Sequence, residues 1–276
     1  MKRIARAGAL LAAGMLAACT TVGNRDDYLP LFMAAERSGR PFDPITAIRP
    51  DATMADAYRV QRDYVRRRVA TGDRIAGYKG GLMSPASLRS RNVTEPLVGT
   101  LFAAGRRQDG DMVSLCDYRK ASFELKLGYV VSAASHAGGA RAMVAPVIDL
   151  PDIAYRNPDN YSAVDMVAAN ISVSRYVVGT ARPVGNADLD GLSVTLRRDG
   201  QVIASGHGRE SLGGQAASLE LVQKLAARGE RAPVPDALIV TGKMGDRGWL
   251  SPGHYVADYG MLGIVRFTVS ACAGQR

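Results

Sequence analysis

The chain is poor in the residue types that build most recognisable catalytic and metal sites. Its 3 histidines, His136, His207 and His254, are far apart and show no H-E-x-x-H or similar spacing that would place two ligands on one helix face. They read as loop or surface residues. Its 3 cysteines include no C-x-x-C pair, which removes the common thiolate metal sites. No G-x-S-x-G elbow, Walker A loop or dinucleotide glycine fingerprint occurs. Internal repeats and low-complexity blocks are also lacking. Arg66, Arg67 and Arg68 form the densest basic run and read as one solvated helix face without interleaved aromatics, so no nucleic-acid partner is expected.

What is present begins at the N-terminus. Lys2, Arg3 and Arg6 precede an apolar stretch over residues 7–18, too short to span a bilayer as a helix. A basic start, an apolar middle and a small-residue exit define a signal peptide. The exit reads Leu16-Ala17-Ala18-Cys19, the pattern of a lipoprotein cleavage site, with Cys19 as the lipid-accepting thiol. Thr20 follows where an aspartate would favour inner-membrane retention, so the expected location is periplasm-facing and anchored, at the outer rather than the inner membrane. Removing residues 1–18 takes away three basic side chains and no acidic one, lowering the formal charge from +9 to +6. The remaining Cys116 and Cys272 either pair in an oxidising compartment or stay as buried thiols, and spacing does not choose.

Residues 19–50 read as a tether with a short helix near 31–35, and residues 51–276 as the main domain. Thr53 with Asp56 three positions on predicts a capped helix ending at Thr71-Gly72, with Met54, Tyr58, Val65 and Val69 on one face. Beyond residue 75 the period changes to that of strands: 75–78, 122–131, 143–150, 192–198, 201–206, 238–241, 255–259 and 263–269. Asp199-Gly200 predicts a two-residue hairpin turn. A helix is expected over 215–228, with Leu219, Val222 and Leu225 inward and Gly229 past its end. The fold class is α+β, with a β-roll or mixed sandwich core and a small helical N-terminal segment.

Several segments, in order, resemble the 2-keto-4-pentenoate hydratase branch of the fumarylacetoacetate hydrolase superfamily. They include Gly77-Tyr78-Lys79-Gly80-Gly81-Leu82-Met83-Ser84, the run 123–131 from Phe123 to Val131, Ala145-Pro146-Val147-Ile148-Asp149-Leu150 and Asp165-Met166-Val167-Ala168-Ala169-Asn170. Gly206-His207-Gly208, Val240-Thr241-Gly242 and Pro252-Gly253 continue the series. The resemblance implies an enzyme that holds a 2-oxo acid or its enol on a divalent metal, usually Mg²⁺, which stabilises the enolate while water adds. It also implies a Glu-x-Glu pair and a third acid as ligands. A strand's period of two points both members of such a pair to one face.

Glu124 and Asp149 match the first and third ligand positions, but the second is Lys126, whose ammonium has no lone pair for a metal. Three carboxylates with Mg²⁺ and two carboxylates with one ammonium carry the same net charge. Lys126 is therefore read as an internal cation held between Glu124 and Asp149, with no cofactor expected and Mg²⁺ admissible only if those two carboxylates suffice. Lys79 matches the family's substrate-engaging lysine, and three nearby glycines allow close approach of a ligand. Ser84, Asn170 and Lys243 are candidates for the pocket wall. Two functions follow: a hydratase or lyase acting on a small 2-oxo or enol acid, or an inactive relative that binds small carboxylates or serves structurally at the envelope. Homo-oligomer formation stays open.

Overall fold

The computed structural model describes residues 28–131, 143–229 and 234–272. The signal segment 1–18, Cys19 and His136 lie outside the described residues.

Among the described residues three helices come first: α1 (Tyr28–Arg37), α2 (Ile45–Ile48) and α3 (Met54–Ala70). Helix α3 starts where the cap is expected. Thr53 Oγ1 accepts from the Asp56 N–H at 3.2 Å, and Asp56 Oδ2 accepts from the Thr53 N–H at 3.0 Å. Its fully buried face is Ala57, Val60, Gln61 and Tyr64, and Met54, Tyr58 and Val65 of the expected stripe pack, partly buried, against the same cluster. Gln61 is tolerated within that face because its side chain donates to the carbonyls of Val98 and Val167. Val69 is left exposed. Later helices are α4 (Pro85–Ser90), α5 (Ala163–Ala168) and α6 (Gly214–Arg228). In α6, Val222 and Leu225 are buried as expected, while Leu219 is only partly so.

The strands are β1 (Ile75–Gly81), β2 (Leu97–Phe102), β3 (Arg106–Gln108), β4 (Met112–Ser114), β5 (Ser122–Val131), β6 (Met143–Leu150) and β7 (Arg175–Val178). They continue with β8 (Arg182–Pro183), β9 (Ser193–Arg198), β10 (Gln201–His207), β11 (Ala237–Val240), β12 (Met244–Trp249), β13 (Gly253–Asp258) and β14 (Ile264–Ser270). All eight strands expected from sequence are present. Of the others, β2 is buried at every position and so shows no alternation. Strands β3, β4 and β8 are too short to establish a period. The β9–β10 hairpin turns on Asp199 and Gly200, both with positive φ, as a two-residue hairpin turn of this kind requires.

Two sheets form. One has the order β2-β1-β11-β5-β6-β7-β3, with β12 also on β5 and β8 on β6; the other is β10-β9-β13-β14-β4. The larger sheet curls into a half-barrel, giving the mixed α+β fold expected. Phe123, Leu125, Leu127, Ile148, Leu196, Tyr255 and Phe267 belong to one buried cluster. A second cluster ties the opening helices to the rest through Phe32, Phe42, Tyr64, Phe102 and Tyr155. Strands β4 and β14 are parallel neighbours with Ser114 opposite Ser270, so the residues leaving them meet. Cys116 and Cys272 form a disulfide there, with Cα atoms 4.7 Å apart.

Candidate active site

Alternation along β5 builds the site's floor. Leu125 and Leu127 are fully buried and join the hydrophobic core, so Glu124 and Lys126 face the other way. Strand β6 runs antiparallel beside it with Asp149 opposite Glu124 and Val147 opposite Lys126. Strand β1 arrives from the far side of β11. The pairing of β1 with β11 ends at Lys79 and Val240, while β1 continues to Gly81 along β2. Lys79 thus reaches Asp149 past the end of a strand that has stopped.

The result is a four-membered ion cluster. Asp149 Oδ2 lies 2.7 Å from Lys79 Nζ and 3.4 Å from Lys126 Nζ. Lys126 Nζ also lies 3.1 Å from Glu124 Oε2 and donates to the Gly80 carbonyl at 3.2 Å. Lys79, Lys126 and Asp149 are buried, and Glu124 opens to the cleft. Burial alone would lower the Lys126 pKa, but Glu124 and then Asp149 outweigh it and raise it above the ordinary lysine value. Lys79 goes the other way: burial lowers it, Lys126 adds to the lowering, and Asp149 and Glu124 only partly compensate. For Glu124, burial would raise the pKa, but the ammonium groups of Lys126 and Lys79 hold it below the usual carboxylate range.

Glycines admit this geometry. Gly77 has φ +152°, and a Cβ there would lie 2.0 Å from the Leu238 carbonyl oxygen, so no side chain fits where β1 presses on β11. A Cβ on Gly242 would meet Ser211 Oγ at 2.5 Å, the same oxygen that accepts the Gly242 N–H.

Above the cluster lies a cleft of about 530 Å³. Lys79, Glu124, Lys126, Ser84 and Lys243 all line it, and Asp149 sits beneath through its lysine contacts. Ser84 also caps α4, accepting from the Ser87 N–H at 3.2 Å. Lys243 is turned back on its own loop, donating to the Gly245 carbonyl at 2.6 Å, with Asp246 at 3.7 Å. Asn170 is placed elsewhere: its side chain takes the Thr100 N–H at 2.8 Å and donates to the Thr100 carbonyl at 2.9 Å. Its neighbours Ile171 and Ser172 reach the cleft instead, as do Arg91, Tyr161 and Arg247, none of which the sequence reading singled out. His207 and His254 face Ser193 and Thr268 on the second sheet, outside the cleft.

Among the described residues, no three His, Cys, Asp or Glu side chains converge closely enough to hold a metal ion. What the cluster offers is a buried ammonium of raised basicity, a second of lowered basicity, and one carboxylate open to a ligand.

No protein-family model matches the chain. Individual relatives do. The chain is 31% identical to a 4-oxalocrotonate decarboxylase of Pseudomonas sp. (strain CF600) over 232 residues, covering 80% of this chain and 87% of that protein. It is 30% identical to a 2-keto-4-pentenoate hydratase of Burkholderia vietnamiensis over 246 residues, covering 85% and 93%. In structure it resembles the 4-oxalocrotonate decarboxylase from Pseudomonas putida G7, complexed with magnesium and adipate. The TM-score is 0.81 at 28% identity, covering 90% of this chain and 98% of the other. With these relatives aligned over nearly their whole length and the same fold carrying the cleft, the chain belongs to the fumarylacetoacetate hydrolase superfamily, in the branch of 4-oxalocrotonate decarboxylase and 2-keto-4-pentenoate hydratase.

Proposed function

We propose that this protein is an exported lyase-type enzyme that acts on a small 2-oxo acid and uses the Lys126 ammonium where its relatives use a divalent metal. The observation that carries this is the position of Lys126 Nζ, 3.1 Å from Glu124 and 3.4 Å from Asp149. A hard dication takes several oxygen ligands. At the second ligand position the chain presents a positive charge instead, and both remaining carboxylates are already engaged by that charge. The donor set does not fit Mg²⁺.

Decarboxylation and hydration of such acids share an enolate whose negative charge gathers on the C2 oxygen, and a preorganised cation in a dry site stabilises that charge. Lys126 stays protonated between its two acids and can serve in this role. Lys79, of lowered basicity, orients the substrate by exchanging Asp149 for the substrate's carboxylate or oxo group. Glu124, at the cleft, is placed to hold or move a proton.

A second reading, binding of a carboxylate without turnover, is favoured by the closed Lys79–Asp149 pair at 2.7 Å, which a substrate has to open. Export and lipid attachment at Cys19, at the outer membrane, complete the proposal. The Cys116–Cys272 disulfide supports it, because structural disulfides belong to oxidising compartments.

The test is thermal unfolding with pyruvate or 2-oxopentenoate in the presence of EDTA, followed by turnover of the same compounds. Protection is expected without metal, weakened by Lys79→Ala, and Lys126→Glu is expected to introduce dependence on Mg²⁺. Protection of the unmodified protein that appears only when Mg²⁺ is added overturns the proposal. Protection without turnover selects the binding reading.

A further inference from the structure

Residues 151–154 divide two clefts. Pro151 and Ile153 line the catalytic one, whereas Asp152 and Ala154, alternating with them along the chain, line a second cleft of about 520 Å³. Ser172 is reached from both. Helices α1 and α3 border the second cleft through Phe32, Arg37, Tyr64 and Arg68, and its volume lies within the range of small-molecule sites, roughly 300–1,000 Å³.

Its lining is of two kinds, aromatic and ionic. Phe32, Phe42 and Phe102 supply rings, and the ions are Arg37, Arg68, Arg119 and Arg175 with Glu36, Asp117 and Asp152. Two of the guanidinium groups are matched. Arg68 is held between Glu36 and Asp73, and Arg175 meets Asp117 at 2.9 Å. Arg119 is not. Its side chain is only 16% exposed, and its buried Nε lies 3.2 Å from Asp152 Oδ2 without the alignment of a hydrogen bond. That carboxylate already accepts the backbone N–H groups of Arg119 and Lys120, at 2.8–3.2 Å. Among the described residues no acceptor meets Arg119 Nη1 or Nη2, and Arg37, exposed on α1 at the edge of the same cleft, has no carboxylate partner.

A guanidinium removed from most of its water and left with unmatched donors costs free energy, and a planar carboxylate is the acceptor its geometry fits. We infer that this second cleft binds a small carboxylate carrying an aromatic ring or branched apolar chain. Its oxygens meet the Nη groups of Arg119, Arg37 adds positive charge at the edge, and the apolar body lies against Phe32, Phe42 and Phe102. Inorganic phosphate answers the charge alone and leaves the rings facing water. Since Ser172 is the only residue common to the two linings, the inference does not rest on the 2-oxo acid reading of the catalytic cleft.

Calorimetry on the full chain tests it, with benzoate, acetate and inorganic phosphate as probes. Benzoate is expected to bind roughly ten-fold or more tightly than acetate, because only its ring buries apolar surface. Arg119→Met is expected to weaken benzoate roughly ten-fold or more, by removing a charge-assisted pair of hydrogen bonds. Arg37→Glu, at an exposed position, should weaken it several-fold, and Lys79→Ala should leave it unchanged. Absence of benzoate binding overturns the inference, as does acetate or phosphate binding as tightly as benzoate. Benzoate binding that is lost in Lys79→Ala and kept in Arg37→Glu also overturns it, by placing the acid in the catalytic cleft. Should Arg119→Met fail to fold, the comparison of probes and the other two variants still decide.

Discussion

Lys79 and Lys126 share one carboxylate oxygen and yet are shifted in opposite directions, and stability as a function of pH should show it. Lys126, raised above its unfolded value by Glu124 and Asp149 against the effect of burial, contributes stability that is complete below the unfolded lysine pKa. That contribution is lost as pH rises through the raised value. Glu124, held low by Lys126 and Lys79 against burial, contributes stability above the ordinary glutamate pKa and loses it as pH falls through the lowered one. Lys79, lowered by burial and by Lys126, opposes folding while charged, and that cost relaxes as pH rises from its lowered value toward the ordinary one. Lys126→Met is expected to destabilise the protein by about 2–4 kcal/mol at neutral pH, because it strips Glu124 of its ammonium partner and leaves Asp149 to Lys79 alone. It should also move the acid limb of the stability curve to higher pH. Urea unfolding at a series of pH values checks both effects. At this scale the floor of the site was legible: a Glu-x-Lys pair on a strand must share a face, and Asp149 follows from the family pattern. Arg91 was not, since nothing in its neighbourhood says that Tyr161, from a distant segment, lies beneath its guanidinium.

Among elements, the short turn Asn170–Ser172 stands out because all three of its residues have positive φ, 51°, 45° and 56°, and the central one is a β-branched isoleucine. Such a conformation costs free energy and persists only when its surroundings impose it. Here Asn170 clamps the backbone of Thr100 on β2, and Ile171 lies over Gly99 and Gly81, where a Cβ would come within 2.4 and 3.2 Å of its side chain. The turn forms part of the cleft wall through Ile171 and Ser172. Gly99→Ala is expected to push the turn into the cleft and weaken 2-oxo acid binding several-fold, although it touches none of the four ions. Asn170→Ala should cost about 1–3 kcal/mol by leaving the Thr100 backbone groups unmatched. Denaturant unfolding and ligand titration of the two variants separate these effects. Sequence reading put Asn170 on the pocket because its segment matches the family. The left-handed backbone that turns the side chain onto β2 is set by tertiary contacts, and no local residue preference announces it.

For the whole molecule, period and punctuation disclosed eight strands, among them β9 and β10 around Asp199-Gly200 and the fully buried β11. They missed β2, which is buried throughout, the four- and six-residue strands β7 and β12, and the two- or three-residue strands β3, β4 and β8, which are set by their partners β7, β14 and β6. Export rests on residues outside the described ones and is tested separately. Cys19→Ser is expected to abolish labelling by a fatty-acid analogue and to release the protein from membrane fractions, and unchanged labelling would refute lipid attachment.

The disulfide also divides the molecule in a way that the sheets do not. It joins residues 156 positions apart, so the chain from Cys116 to Cys272 is covalently a closed ring, and everything before it is a tail. Glu124, Lys126, Asp149 and Lys243 belong to the ring; Lys79 and Arg91 belong to the tail, which inserts β1 between β11 and β2. The cleft is thus a seam. One backbone cut inside the ring leaves every piece tethered, whereas one cut in the tail between Arg91 and Cys116 leaves Lys79 and Arg91 held to the ring by non-covalent contacts alone, chief among them the pairing of β1 with β11 and the bond from Lys79 to Asp149.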